Sequence, residues 1–245
     1  MQNLNKSSQA CVLFSGGSDS SLTAYLSAQE FVKVHLLTYK QFGQLNIENS
    51  KISFNVLDQK MPGKFIHEII DISNMFLKIY NRNYLRNLFK YKTLQMQFPC
   101  FACQSCFHIN TIIYCKKNTI TEVRDGANTE YEEASPMQIE IVRKEIKGLY
   151  REYGINHASP VYHEYETNRS DFQLYKLGLR PKPNIKDDRD LYRAYQGYCR
   201  FMPGSTLFLE YWKKCNGFPT KVQQGILKHW LEEVDFLRGL IDANI

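Results

Sequence analysis

Apolar positions come in short blocks early in the chain and at helical spacing later. Residues 10–14, Ala10-Cys11-Val12-Leu13-Phe14, form an unbroken apolar run, as expected of a strand buried on both faces. Six small or polar residues follow, and residues 21–26 then open a helix. Residues 32–39 read as a second strand, so the segment is a βαβ unit and predicts a parallel sheet. Residues 64–80 begin as strand and turn helical, residues 81–95 predict a helix, and Pro99 predicts a break. Residues 103–116 have helical spacing, with Ile109, Ile112 and Ile113 on one side. Residues 119–123 predict another strand. Residues 136–153 form an amphipathic helix stopped by Gly154 in the C′ position. The β signal fades after Pro160, leaving a short helix over 167–177 with Gly178 behind it and a long amphipathic one over 220–241. The pattern predicts an α/β fold: a parallel sheet with helices on both faces in residues 1–160, and a mainly helical C-terminal region in 161–245.

Composition adds bounds. The chain has 245 residues, 43% hydrophobic and 23% charged, ordinary for a globular protein with a sizeable core. No apolar run reaches the roughly 18 residues of a membrane span, and the polar start predicts no secretory signal, so a cytoplasmic location and no membrane partner are expected. The net charge of +6 tilts mildly toward a polyanionic partner. Seven cysteines without a signal peptide are not expected to be disulfides, and three of them cluster, which points to a metal.

The link after the first strand is Ser15-Gly16-Gly17-Ser18-Asp19-Ser20. At the carboxyl end of a parallel strand, leading into a helix, such a link offers backbone N–H groups and the positive end of a helix dipole to an anion. Two glycines let a ligand approach the backbone, and the serines add hydroxyl donors. The loop lacks the lysine of a Walker A motif and the spacing of G-x-G-x-x-G. Its chemistry suits a phosphate or pyrophosphate.

These residues resemble the S-G-G-x-D-S signature of the PP-loop ATP pyrophosphatases. That resemblance implies a Rossmann-like PP-loop fold and an enzyme that cleaves ATP between its α and β phosphates. Such enzymes adenylate an acceptor oxygen, and a nucleophile then displaces AMP. It further implies that Ser15, Gly16, Gly17, Ser18 and Ser20 hold the pyrophosphate, that Asp19 helps place Mg2+ and acts in catalysis, and that Thr38 and Tyr39 lie near the adenosine. Asp125-Gly126-Ala127-Asn128-Thr129 resembles the D-G-T-N segment of the nickel-pincer sulfur transferases and a related segment of tRNA thiolases, which adds Asp125, Gly126 and Asn128 to the ATP site. Glu130, Glu132 and Glu133 stand where that family has an acidic pair. The likeness runs loosely from about residue 10 to residue 199.

Cys100, Cys103 and Cys106 have C-x-x-C-x-x-C spacing, which lets several thiolates reach one metal. Two metals are open. Zinc resembles 7-cyano-7-deazaguanine synthase and needs a fourth cysteine from Cys115, Cys199 or Cys215. A [4Fe–4S] cluster resembles the iron–sulfur tRNA thiolases and takes a late cysteine, for which Cys199 in QGYCRF is the candidate. Three cysteines with an open iron make a catalytic arrangement, so the cluster is the favoured expectation, held by Cys100, Cys103, Cys106 and Cys199, with Cys106 and Cys199 delivering sulfur.

The function so implied is ATP-dependent thiolation of a nucleobase in tRNA or of a small molecule, with a sulfur-donor protein and a second copy of the chain as further partners. A zinc-containing amide- or nitrile-forming ligase and a nucleotide-binding metal sensor without turnover are the alternatives. Lys78, Arg82, Arg86 and Lys90 recur every four residues; on one helix they form a basic stripe among aromatics, suited to RNA. Lys182, Lys186, Arg189, Arg193 and Arg200 form a second basic group. His35, His108, His157 and His163 have no ligand spacing.

Overall fold

A computed structural model describes residues 9–90, 98–129, 137–162, 169–183, 194–201 and 220–245. Strand β1 is Gln9–Leu13, helix α1 Ser18–Glu30, β2 Lys33–Lys40, β3 Gln44–Leu45, α2 Ser50–Lys60 and β4 Phe65–Asp71. Then come α3 Ser73–Asn81, α4 Tyr84–Lys90, α5 Phe98–Asn118, β5 Glu122–Arg124, α6 Glu140–Glu152 and β6 Asn156–Ala158. The last elements are α7 Ser170–Lys176, β7 Tyr198–Cys199 and α8 Thr220–Asp242.

Five strands form a parallel sheet in the order β4-β2-β1-β5-β6, and β3 and β7 form a separate antiparallel pair. Period-two alternation divides the apolar runs between two cores. Ala10, Val12, Phe14, Val34 and Leu36 face α1, α2 and α7. Cys11, Leu37, Tyr39 and Val123 face the opposite core, built on α3, α5, α6 and α8. The sheet is thus covered on both faces, as a parallel sheet requires. Among the described residues no helix is long and apolar enough to cross a membrane.

α1 lies close on the sheet because its inner face is made of small residues, with Ser21, Ala24, Ser27 and Ala28 buried. α5 is the long central helix of the other layer, with Ile109 and Ile112 fully buried. It begins at Phe98, so Pro99 does not break the chain ahead of the cysteines: it sits in the first helical turn, where its missing N–H removes no intrahelical bond. The cysteine cluster is therefore helical. α6 stops as expected, with Gly154 at φ 72° and the Ile155 amide returning to the Tyr150 carbonyl.

The basic stripe is not one stripe. α3 ends at Asn81, and Asn83 takes the left-handed conformation at φ 53°, which asparagine tolerates, before α4 starts on a new axis. Arg82 turns onto α8, pairing with buried Glu233 at 2.9 Å and stacking on Phe236; Lys90 pairs with Glu232. Two of the four cations are thus committed to holding α8. The rest of the helix expected over 81–95 lies outside the described residues.

α8 docks by Ile226, Trp230, Leu237 and Ile241, all buried, and Trp230 and His229 meet Phe101 of α5. Trp230→Ala is expected to lower stability by about 3–5 kcal/mol, read from urea unfolding followed by circular dichroism. A loss below about 1 kcal/mol contradicts the docking of α8 in the common core.

Burial also keeps histidines neutral. It pushes His108 down to about 3, helped by neighbouring His157, and pushes His67 and His229 to about 4. In the unfolded chain each takes up a proton near pH 6.5, so the unfolded state binds more protons below that pH. The stability these groups contribute is full above about pH 6.5 and is lost as the pH falls toward 4. The urea midpoint is expected to drop between pH 7 and pH 5; an unchanged midpoint contradicts neutral burial.

Candidate nucleotide and cysteine site

The sheet order reverses between β1 and β5, because β2 lies on one side of β1 and β5 on the other. The crevice beyond the carboxyl ends of the strands at such a switch point is where open α/β sheets bind ligands. Residues 15–20 leave β1 there and residues 125–128 leave β5 there.

The first loop is held by its own hydroxyls. Ser15 and Ser20 hydroxyls meet at 3.1 Å, the Gly17 amide donates to Ser15 Oγ at 3.2 Å, and Ser20 Oγ donates to the Gly17 carbonyl at 3.1 Å. Gly16 stands at φ 84°, a left-handed conformation that calls for glycine. Gly17 precedes α1 and offers no capping side chain. The Ser18 side chain faces the guanidinium of Arg180.

The second loop packs directly on the first turn of α1. A Cβ on Gly126 would lie 2.6 Å from the Ser20 amide nitrogen, so the approach exists only with glycine. Asn128 donates through Nδ2 to Asp19 Oδ2 at 2.8 Å, and Thr23 Oγ1 donates to the Asp125 carbonyl at 3.3 Å. Asn128 and Asp19 thus meet across the crevice. The Asp125 side chain points the other way, into the core. It accepts from Arg143 at 3.3 Å and from the Ala127 amide at 3.2 Å, and pairs with His157 Nε2 at 2.8 Å. Burial works to raise its pKa, but Arg143 and His157 outweigh burial and hold the carboxyl well below its ordinary range. Tyr150 stacks on His157, and His108 meets it edge-on. Asp125 is the anchor of the loop whose tip carries Asn128. Glu130, Glu132 and Glu133 lie outside the described residues.

Thr38 and Tyr39, adjacent on β2, face opposite layers. Thr38 Oγ1 donates to the Phe14 carbonyl at 2.6 Å and meets His67 Nε2 at 2.9 Å, beside the root of the first loop. Tyr39 turns into the α5 core, its hydroxyl 2.7 Å from Thr111 Oγ1 and its ring stacked on Phe107.

The described cysteines form no disulfide with one another, and Cys215 lies outside the described residues. Cys100, Cys103 and Cys106 lie on successive turns of α5, about 4.5 Å of helix rise apart. The β3–β7 pairing sets Cys199 opposite Gln44, and Gln41 Nε2 donates to Cys103 Sγ at 3.8 Å. Burial raises the Cys103 thiol well above its ordinary range, and nearby Cys199, Cys106 and Cys100 push it the same way. Cys106 is fully buried one turn deeper and is raised by burial. The late cysteine is thus brought to the amino end of α5. Among the described residues no three His, Cys, Asp or Glu side chains are arranged to hold a metal ion. The donor set, soft sulfurs gathered from two segments, fits a thiophilic metal in type.

Several site residues escaped the sequence reading. Arg180 reaches Gly16, Ser18, Ser21 and Ser53. Gln196 accepts from Ser15 Oγ at 3.3 Å, and its Oε1 would lie 2.2 Å from a Cβ on Gly17. The backbone of Tyr195 lies equally close to Gly16. Only the Y-Q-G-Y-C string around Gln196, with a glycine where the chain crosses Ile47, signalled this segment. His67 and His157 have no ligand spacing in the sequence, yet His67 meets Thr38 and His157 pairs with Asp125.

No protein-family profile matches the sequence, and no curated protein matches it. In structure the chain is similar to a 4-thiouridine synthetase solved with RNA and bound ATP, at 12% identity and a TM-score of 0.50. That match covers 83% of this chain and 53% of the synthetase, about half its length. A U34-tRNA thiolase from Methanococcus maripaludis, solved with its [4Fe–4S] cluster, is similar at 13% identity over 95% and 74% of the two chains, with a TM-score of 0.49. A predicted tRNA methyltransferase subunit from Methanocaldococcus jannaschii is similar at 19% identity over 68% and 75%, with a TM-score of 0.45. At these identities the likeness is one of fold. The five-stranded parallel sheet, with the S-G-G-S-D-S loop at its switch point, gives the chain an α/β fold similar to that of the 4-thiouridine synthetase.

Proposed function

We propose that the protein is an ATP-dependent thiolation enzyme of the cytoplasm. Residues 1–160 are its nucleotide-binding unit, and the mainly helical residues 161–245 complete the site. The observation that carries this reading is the Asn128–Asp19 hydrogen bond at 2.8 Å, which joins the two motifs across the switch point. Ser15, Gly16, Gly17, Ser18 and Ser20 bind the pyrophosphate end of ATP, and Thr38 lies toward the nucleoside. Asp19, its carboxylate oriented by Asn128, would hold Mg2+, which when bound offsets charge on the leaving pyrophosphate. The acceptor oxygen attacks the α-phosphorus, and the α–β anhydride bond breaks with its electron pair going to pyrophosphate. A sulfur nucleophile then attacks the carbon that bears the adenylate, and AMP leaves with the acceptor's oxygen. Adenylation is what makes that oxygen a good leaving group.

Cys100, Cys103 and Cys199, with Cys106 beneath them, would hold a [4Fe–4S] cluster, whose chemistry there is to carry sulfur. The acceptor is a nucleobase, in tRNA or free, or a small-molecule carbonyl, and a sulfur-donor protein is the natural partner. The likeness in fold to a 4-thiouridine synthetase solved with RNA and bound ATP supports this reading.

With Mg2+, ATP and a tRNA or nucleobase acceptor, AMP and pyrophosphate are expected in equal amounts. Asp19→Ala is expected to slow their release by about a hundredfold. Formation of ADP and phosphate, or an unchanged rate in the variant, overturns the reading. Protein purified without oxygen is expected to carry about four irons per chain and to absorb visible light, both lost in Cys103→Ser. A colourless protein with about one zinc turns the chemistry toward amide or nitrile formation.

A further inference from the structure

The loop expected to bind polyphosphate brings no cation of its own. Residues 15–32 contain no lysine or arginine, and the loop carries the negative Asp19. Among the described residues, Arg180 reaches it from far along the chain. Arg180 lies just beyond α7, where Gly178 at φ 71° turns the chain back toward α1. Its guanidinium donates to the Gly16 carbonyl, to Ser53 Oγ at 3.1 Å, and to Ser21 and Ser18 hydroxyls at 3.4 Å. The Tyr195 ring lies against the guanidinium, 4.3 Å from its carbon.

Three donors converge on the Gly16 carbonyl: Arg180, Ser53 Oγ at 2.7 Å and Ser21 Oγ at 3.3 Å. In a trans peptide the C=O and the following N–H point in opposite directions. Holding the Gly16 oxygen on the Arg180 side therefore sends the Gly17 N–H to the other side, where it meets Ser15 Oγ within the loop. Without these donors a Gly-Gly peptide turns over at little steric cost.

We propose that Arg180 is the positioning residue of the polyphosphate loop. It fixes the Gly16–Gly17 peptide so that the Gly17 N–H holds Ser15 Oγ within the loop, and it supplies beside the β and γ phosphates the positive charge that residues 15–32 lack. The proposal rests on the nucleotide reading above. It makes Arg180 a determinant of preference for triphosphate over monophosphate, since AMP has no group at this part of the loop.

The test is a nucleotide ladder on the full chain. Dissociation constants for ATP, ADP and AMP with Mg2+ are measured by calorimetry for the wild type, Arg180→Gln and Arg180→Lys, with Lys182→Gln as an exposed control. Arg180→Gln is expected to weaken ATP about thirtyfold or more and AMP less than about twofold. Arg180→Lys is expected to fall between, because it keeps the charge and loses the fork. Equal losses for ATP and AMP, or an unchanged ATP affinity, overturn the proposal. If Arg180→Gln does not fold, the ATP-to-AMP ratio of Arg180→Lys decides: unchanged, it overturns the role. A wild type that binds ATP no better than AMP sinks the nucleotide reading itself, and is told apart from failure of Arg180 by the wild-type ladder alone.

Discussion

The site depends on how closely the turn after β5 approaches the amino end of α1. Gly126 gives up its side chain so that the turn can lie against the Ser20 amide. Once there, Asn128 reaches Asp19 and Thr23 reaches the Asp125 carbonyl. The approach is held from behind by a buried charge cluster. Asp125 is paired with Arg143 and His157, so its burial is compensated and the turn has a fixed root. The loop after β1 is thus braced from one side by a second strand and from the other by its own serines.

The later part of the chain closes on the same place. α7 packs on α1 and delivers Arg180 to the loop; residues 195–196 pass against the loop's glycines; β7 pairs with β3 and sets Cys199 near Cys103. One short segment, residues 194–201, therefore runs from the glycines of the loop to the cysteines of α5. The tethering of α8 by Arg82, Lys90 and Trp230 fixes the helix that carries those cysteines.

Much of this was legible in the sequence. The strands β1 and β2 are apolar runs, and the loop between β1 and α1 announces itself by composition. What was not legible has physical causes. Pro99 reads as a breaker, yet a first helical turn has no use for its N–H, so α5 begins earlier than expected. The four-residue spacing of Lys78, Arg82, Arg86 and Lys90 holds only on one continuous helix, and Asn83 ends it. β6 is three residues, Asn156-His157-Ala158, with no apolar run, because His157 is spent on Asp125. Strand parity, not motif position, separates Thr38 from Tyr39. Arg180 and Gln196 lie more than 150 residues from the loop they serve, and no local pattern marks such a contact.

Residues 15–20, braced by residues 125–128, are proposed to form a pyrophosphate site that works on the α–β bond of ATP. A crystal structure of the full chain with Mg2+ and an ATP analogue carrying a methylene between the α and β phosphates tests it most directly. The β and γ phosphates are expected against the amides of residues 15–20, with the metal on Asp19. A nucleotide seated elsewhere, or with its terminal phosphates in solvent away from this loop, would contradict it.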